Sequence, residues 1–356
     1  MNIRKMLVVL PFVIITVGIG VFAFYNYSLS RVSSDSTLIE IEIKPGSIES
    51  IGNTLKKNGL IRDSKMFKIY VKLSGKNNLK ASTYMLSKNM GTRKIVDILE
   101  KGKSDNPEQI SLTFKEGINI RDAVELICDK TNNNEDDVYL LLKDNEFLDG
   151  LIEKYWFLTE EIKNPKIYYS LEGYLFPATY KYVNKNVEIK KIFIDMLNKT
   201  EEKLNKYKGE IENNKYSVHE IITIASLVES EGANVEDRKN IAGVFYNRLG
   251  KNMTLGSDVT TYYGLKINMG DRALTKQELS ACNDYNTRCQ SFYGLPVGPI
   301  SFPSIESIEA AIEPNEHDYL YFIADKNKKT YFTKNINEHN NLLNKLKREK
   351  LFYEHE

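Results

Sequence analysis

The sequence predicts an α+β protein in three parts: an N-terminal transmembrane helix, a small βααβ subdomain and a larger α+β domain. An uncharged apolar run stands near the N-terminus, and the chain beyond it alternates between segments of strand and helix periodicity. A polar stretch at residues 101–108 marks a boundary between two folded parts. We therefore assign residues 1–37 to a cytoplasmic tip, span and linker, 38–104 to the small subdomain and 108–356 to the larger domain.

The apolar run Met6–Tyr25 carries no charge and is about 20 residues long, enough to cross the hydrocarbon core of a bilayer. Arg4 and Lys5 precede it, so the positive-inside rule places the N-terminus in the cytoplasm and the rest of the chain outside. A cleaved signal peptide is the alternative. The run is long for such a peptide and no small-x-small cleavage site follows it, which favours an uncleaved anchor in the cell membrane.

The small subdomain is predicted from its periodicity. Leu38–Lys44 alternates apolar and polar residues as a half-buried strand does, and Ser47 is a suitable N-cap for a helix that ends near Asn58. Further along, the pattern predicts a second helix capped by Ser64 and stopped by Gly75, a strand at Lys80–Ser87 and a short helix at Thr92–Glu100.

The larger domain is predicted to begin with a strand at Ile110–Lys115 and an amphipathic helix after Asn119, followed by a polar loop at Asn132–Asp137. Its C-terminal half is predicted to contain the helix Glu236–Leu249, the loops Thr254–Leu265 and Asp284–Ser301, the helix Ser304–Ile312, a hairpin of Tyr319–Asp325 with Thr330–Lys334, and the helix Asn337–Glu349.

Two glutamates in the middle of the larger domain are candidates for chemistry. Ser217 and Glu220 form a capping box before the helical run Ile221–Glu231. Glu229 and Glu231 fall on opposite sides of the apolar stripe of this helix, where partial burial would raise a carboxyl pKa. Residues two apart point in different directions, so they cannot form one acid/base pair. Spacing alone does not choose between them, and both are also compatible with ordinary solvated glutamates.

Composition and cysteine content exclude several classes of protein. The 49 basic and 48 acidic residues leave a net charge of +1, unlike the basic surface of a nucleic-acid binder. Cys128, Cys282 and Cys289 contain no CxxC pair, so we expect neither a metal nor a cofactor. A Cys282–Cys289 bridge is compatible with an extracytoplasmic location, although nothing in the sequence fixes its geometry. For His339, at the start of the last helix, a capping or surface role is favoured over a catalytic one.

Several ordered segments resemble the endolytic murein transglycosylase family, also called MltG or YceG-like. They are EGYLFPATY, ASLVESEG, EDRKNIAGVFYNRL, LGSDVTTYYGL, YNTRCQSFYGLPVGPISFPSIESIEAA and YLYFIADKNKKTYFTKNINEHN. The small subdomain in turn resembles LysM, a module that binds N-acetyl sugar polymers, although a purely structural spacer would have the same pattern.

The resemblance implies an enzyme that cleaves the β-1,4 bond between N-acetylmuramic acid and N-acetylglucosamine and leaves 1,6-anhydro ends. Its partners would be peptidoglycan strands and, through the anchor, membrane peptidoglycan synthases. The first glutamate of the VExE run would be the catalytic acid and base, which carries over to Glu229. The groove candidates that carry over are Ser257, Asp258, Thr260, Tyr285, Asn286 and Thr287. Gly256 departs from the pattern, because similar sequences often have glutamine there.

Three other functions remain open at this stage. A membrane-anchored protein that binds glycan without cutting it would use the LysM-like part. A muramidase that adds water would need a second carboxylate such as Asp258. A zinc peptidase is disfavoured because the run after His219 lacks the second histidine of the zinc-binding motif.

Overall fold

The computed structural model describes residues 3–35, 38–102, 109–182, 184–232 and 234–352, with side chains from residue 16 onward. These residues fold into two compact units, Met1–Ser111 with Lys181–Lys185 and Leu112–Tyr180 with Asn186–Glu356. Helices and three two-stranded sheets make up both units, which confirms the α+β class. Residues 103–108 of the predicted boundary segment lie outside the described residues.

The chain begins with helix α1 (Ile3–Leu29), which includes the predicted span Met6–Tyr25. The side chains of residues 3–15 lie outside the described part of the structure. Within the part that is described, no helix combines the length and the apolar character that crossing a membrane requires. The anchor therefore stays a prediction.

The first unit has the predicted order of strand, helix, helix and strand. Strands β1 (Ile39–Ile43) and β2 (Ser82–Leu86) pair antiparallel, with Ile39 opposite Leu86. Between them come α2 (Ile48–Lys57) and α3 (Ser64–Ser74), and α4 (Thr92–Lys101) follows β2. Side chains from all of these elements form one core, among them Leu55, Phe67, Tyr84 and Ile95.

The caps of α2 and α3 show one confirmation and one correction. The Ser47 hydroxyl accepts the N–H of Ser50, as predicted. The prediction of Ser64 as the second cap was wrong, because Asp63 caps α3 and Ser64 is its first helical residue. The Asp63 carboxylate accepts the N–H groups of both Lys65 and Met66, which are two of the donors left free at a helix start.

The second unit is mostly helical. In chain order the α-helices and strands after α4 are β3 (Ile110–Thr113), α5 (Ile120–Lys130), α6 (Glu135–Leu141), α7 (Asn145–Lys154), β4 (Thr179–Tyr182), α8 (Ile189–Leu204), α9 (Lys208–Glu212), α10 (Val218–Ser230), α11 (Val235–Gly250), α12 (Asp258–Gly264), α13 (Lys276–Ser280), α14 (Ile305–Ile312), β5 (Tyr321–Ala324), β6 (Thr330–Thr333) and α15 (Ile336–Arg348). The residues of β3 and of β4 are divided between the two units, and the other elements belong to the second. Strands β3 and β4 form the second sheet, and β5 pairs antiparallel with β6 as the predicted hairpin.

Two predicted loops contain helices. Helix α6 starts inside the predicted loop Asn132–Asp137, because the Asn134 side chain accepts the N–H of Asp137 and caps it. Helix α12 lies inside the predicted loop Thr254–Leu265. Both helices are only seven residues long, too short for a clear apolar periodicity.

Helix α10 is the centre of the second unit. It packs against α11, α12 and α14, and every residue from His219 to Glu229 except Glu220 is buried. The predicted capping box fixes its start, since Ser217 and Glu220 each bond the other's backbone N–H. Its last turn then carries both candidate glutamates to the edge of this core.

Candidate active site at the end of helix α10

Glu229 points from α10 toward the first turn of α14. Its Oε2 accepts the N–H of Ser304 at 2.9 Å, the hydroxyl of Ser307 at 2.8 Å and the hydroxyl of Ser304. Its Oε1 faces Arg238 Nη2 of α11 at 3.2 Å. The positive end of α14 and the guanidinium both stabilise a carboxylate here.

This arrangement gives Glu229 a structural role. Only 9% of the residue is exposed, and its carboxylate joins α10, α11 and α14 through an ion pair and three hydrogen bonds. Arg238 also donates to the Ser304 hydroxyl at 2.6 Å, which closes the cluster. A general acid needs a proton to give and a face open to the substrate. With 9% of the residue exposed, Glu229 has little open face for a substrate.

Glu231 has different surroundings. It caps the C-terminus of α10 and is partly buried, and its Oε1 accepts the Ser257 hydroxyl at 2.6 Å. Burial raises its pKa to about 7, and the negative charge of Asp258 adds to that effect. The Ser257 hydrogen bond and the charges of Arg248 and Arg288 act in the opposite direction. Near neutral pH this carboxyl can therefore be protonated and can exchange its proton.

A cavity of about 420 Å³ lies beside Glu231, within the range of ligand-binding pockets. It is lined by the residue that ends α10, by residues of α11, α12, β5 and α15, by the segment just before α12, and by one arginine of the loop after α13. These residues are Glu231, Phe245, Arg248, Thr254, Leu255, Gly256, Ser257, Asp258, Arg288, Tyr321, Phe322, Ile336 and His339. Glu229 is absent from this lining. The cavity therefore brings the carboxyls of Glu231 and Asp258 together with arginine, tyrosine and hydroxyl groups.

Two arginines form the walls of the cavity. Arg248 is largely buried, donates to the carbonyls of Leu320 and Leu255 at 2.6 and 2.7 Å, and lies over the Tyr321 ring with its Cζ 4.8 Å from the centroid. Arg288 Nη1 donates to Asp258 Oδ1 at 2.6 Å, at the exposed rim. The sequence predicted no role for either arginine, because each lies far from Glu231 along the chain and comes close to it only after folding.

The six predicted groove residues fall into two groups. Ser257 and Asp258 line the cavity. Thr260, Tyr285, Asn286 and Thr287 are fully buried, so direct contact of their side chains with a substrate is not supported. They join α12 to the loop that contains Tyr285, Asn286 and Thr287 instead, which the hydrogen bonds of Thr287 illustrate. Its hydroxyl accepts the Ser257 N–H at 3.1 Å and lies 2.9 Å from the Thr260 hydroxyl.

Asn286 fixes this same loop in a similar way. Its Oδ1 accepts the Thr261 hydroxyl at 2.6 Å, and its amide donates to the carbonyl of Ala281 at 2.5 Å. The Cys282–Cys289 bridge is formed and closes this loop. Arg288 is thereby presented at the cavity by a segment that is anchored on both sides.

Gly256 lies in the cavity wall with a φ of +64°, in the left-handed region that favours glycine. A Cβ added there would lie 3.0 Å from Arg248 Nη1. In this backbone conformation the position suits glycine, and a longer side chain such as glutamine would be strained there.

A larger cavity of about 620 Å³ lies elsewhere in the second unit, beside α5 and α6. Its lining includes Arg121, Asp122, Cys128, Tyr139 and Lys266 but neither candidate glutamate. Among the described residues, no cluster of His, Cys, Asp and Glu could hold a metal ion. The cavity beside Glu231 is therefore the better candidate for acid/base chemistry.

Comparison with known proteins identifies close relatives. The model of the YceG-like family matches residues 41–345. The chain is 37% identical over 324 residues to the endolytic murein transglycosylase of Bacillus subtilis (strain 168), covering 90% of this chain and 88% of that protein. It is 33% identical over 342 residues to the protein of the same name from Streptococcus pneumoniae (strain D39), of which it spans 61%. A crystal structure of a yceG-like protein from Listeria monocytogenes matches with a TM-score of 0.61 and 37% identity, over 86% of this chain and 99% of that one.

Proposed function

The chain belongs to the YceG-like family, and we propose that it is an endolytic murein transglycosylase, a lytic enzyme that cuts the glycan strands of peptidoglycan. The protonatable carboxyl of Glu231 in a cavity large enough for sugar rings is the observation that supports this chemistry at a defined place. Cleavage is between N-acetylmuramic acid and N-acetylglucosamine, and it leaves a 1,6-anhydro end.

One carboxyl is sufficient for this reaction. Glu231 donates its proton to the glycosidic oxygen while the bond from that oxygen to C1 of the muramic residue breaks. Positive charge develops at C1, and the 6-hydroxyl of the same sugar attacks it. The Glu231 carboxylate takes the hydroxyl proton as the new O6–C1 bond forms, so the acid is regenerated and no water is consumed. The nucleophile belongs to the substrate, and proximity replaces a second catalytic carboxylate.

The neighbours of Glu231 suit this double role. A pKa of about 7 lets the group act as an acid and then as a base at neutral pH. The Ser257 hydroxyl orients Oε1, and the Arg288–Asp258 pair stands at the entrance. We assign the acid and base to Glu231 in place of Glu229, since the carboxylate of Glu229 is occupied by Arg238, Ser304 and Ser307.

The proposal includes a location. The uncharged run Met6–Tyr25 with Arg4 and Lys5 before it would hold the catalytic unit on the outer side of the cell membrane. There the enzyme would meet strands as synthases release them and would terminate their growth. The LysM-like segment at 38–104 would bind glycan near the membrane.

Product masses test this function. The purified full-length chain is incubated with peptidoglycan, and the released fragments are weighed. Anhydro ends, lighter by one water than hydrolytic ends, are expected and should be absent with Glu231→Gln. Reducing ends would contradict the proposal in favour of a muramidase, and no fragments at all would favour a glycan-binding protein.

A further inference from the structure

A histidine from the last helix stands in the same cavity as Glu231. His339 of α15 lies against Tyr321 of β5, with ring centroids 5.3 Å apart, and Arg248 of α11 contacts the same tyrosine. All three side chains line the cavity. The last helix thus contributes to the site an imidazole that packs at an angle of 32° against an aromatic ring.

The hydrogen bonding of His339 differs from that of the other two described histidines. His219 has both ring nitrogens occupied, by the Tyr174 hydroxyl at 2.8 Å and the Val297 carbonyl at 3.0 Å. His317 bonds the carbonyl of Asn240 and the N–H of Tyr319. Within the described part of the chain, Nδ1 of His339 is buried and has no hydrogen-bond partner. An unpaired buried nitrogen is costly and needs an explanation.

The charges around His339 favour its neutral form. Burial lowers its pKa, and the positive charge of Arg248 lowers it further. The other charged groups of the cavity are Glu231 at the end of α10, Asp258 at the start of α12 and Arg288. An uncharged imidazole offers one lone pair and one N–H, a combination that matches a sugar hydroxyl.

We propose that His339 is a further substrate-contacting residue of this site, whose uncharged imidazole hydrogen-bonds a sugar hydroxyl of the glycan held beside Glu231 once the ring turns Nδ1 toward the cavity. This inference rests on the proposed function, since it takes the glycan as the ligand of the cavity. Protonation of His339 would remove the lone pair and would add a second cation beside Arg248. Activity should therefore fall at acid pH through His339, and at alkaline pH through Glu231.

Two variants of the full-length chain test the proposal. His339→Phe keeps a flat ring against Tyr321 without nitrogen atoms, and His339→Asn keeps a polar amide near the position of Nδ1. We expect His339→Phe to lose about 10-fold in kcat/KM, as for one lost hydrogen bond, and to lose the acid limb of the pH profile. His339→Asn should recover part of the rate, and the alkaline limb should remain in both. Thermal unfolding of each variant controls for folding.

An unchanged kcat/KM and an unchanged acid limb in His339→Phe would overturn the proposal while leaving the proposed function intact. Failure of the proposed function is visible separately, because the wild-type chain would then release no anhydro fragments. A binding measurement, which requires no turnover, tests the role of His339 even if no anhydro fragments are released. With ¹⁵N-labelled histidine, addition of N-acetylglucosamine tetrasaccharide should shift the His339 imidazole resonances. An unchanged His339 signal at saturating tetrasaccharide would also overturn the inference.

Discussion

At the scale of single residues, the fold separates two glutamates that the sequence places side by side. The helical period predicted that Glu229 and Glu231 point apart, and they do. Which of them meets a cavity could not be predicted, because their partners come from distant parts of the chain. Ser304 reaches Glu229 and Ser257 reaches Glu231 only after the loops have folded back on α10.

Replacement of Glu229 should cost stability. Glu229→Ala leaves Arg238 buried without its partner, so we expect the free energy of unfolding to fall by about 3 kcal/mol. Denaturant unfolding measures the loss. Glu125→Ala on the exposed face of α5 is the matched control and should change stability by less than about 0.5 kcal/mol. Equal, small losses in both variants would show that the cluster around Glu229 is not structural.

The pH dependence of activity should follow Glu231. Since the acid must be protonated and its pKa is about 7, kcat/KM should fall by about tenfold per pH unit above that value. The Ser257 hydrogen bond lowers this pKa, so Ser257→Ala should move the alkaline limb to higher pH. A limb that stays in place, or moves to lower pH, would contradict the role of Glu231.

At the scale of elements, helix ends were the most predictable features. The capping box of Ser217 and Glu220 and the cap Ser47 are local hydrogen-bond patterns, and both are present. The short helix α12 was missed because its sequence DVTTYYG is rich in β-branched and aromatic residues. Tertiary hydrogen bonds support it, including one from Tyr263 to the buried carboxyl of Glu172 at 2.9 Å.

Glu172 should make the fold less stable as pH rises. It joins α5 and α12 by accepting the Ile120 N–H at 3.1 Å and the Tyr263 hydroxyl, and burial raises its pKa to about 8. The unfolded chain releases this proton from about pH 4.5 upward, whereas the folded chain retains it until about pH 8. Its contribution to stability is thus fully present below pH 4.5 and is lost as the pH rises through 8.

Urea unfolding at several pH values tests this behaviour. The Glu172→Gln variant keeps an acceptor for both donors and cannot ionise, so its stability should depend less on pH across that window. If Glu172→Gln and the wild type lost the same stability between pH 4.5 and 8, the raised pKa of Glu172 would not be the cause of the pH dependence.

At the scale of the whole molecule, the family resemblance predicted more of the protein than its hydrophobic periodicity did. The ordered segments from EGYLFPATY to the last helix indicated the family, and the family model covers residues 41–345. Periodicity gave the βααβ order of the first unit, but no pattern in the sequence predicted that β3 and β4 would pair across a long intervening segment. The membrane anchor remains a prediction from hydropathy and charge.

Sedimentation tests the anchor. We expect the full-length chain to pellet with membranes and to stay there after an alkaline carbonate wash, because about 20 apolar residues would cross the bilayer. A variant without residues 1–37 is the matched control and should remain in the supernatant. Full-length protein that washes off with carbonate would contradict a transmembrane span.

The most direct test of the central claim compares two substitutions of equal size. Glu231→Gln and Glu229→Gln are assayed on the same peptidoglycan, and the initial rate of anhydro-end release is normalised to the folded fraction. We predict a loss of at least about 10²-fold for Glu231→Gln and less than about 10-fold for Glu229→Gln. The reverse order would contradict the account and would return the acid to Glu229.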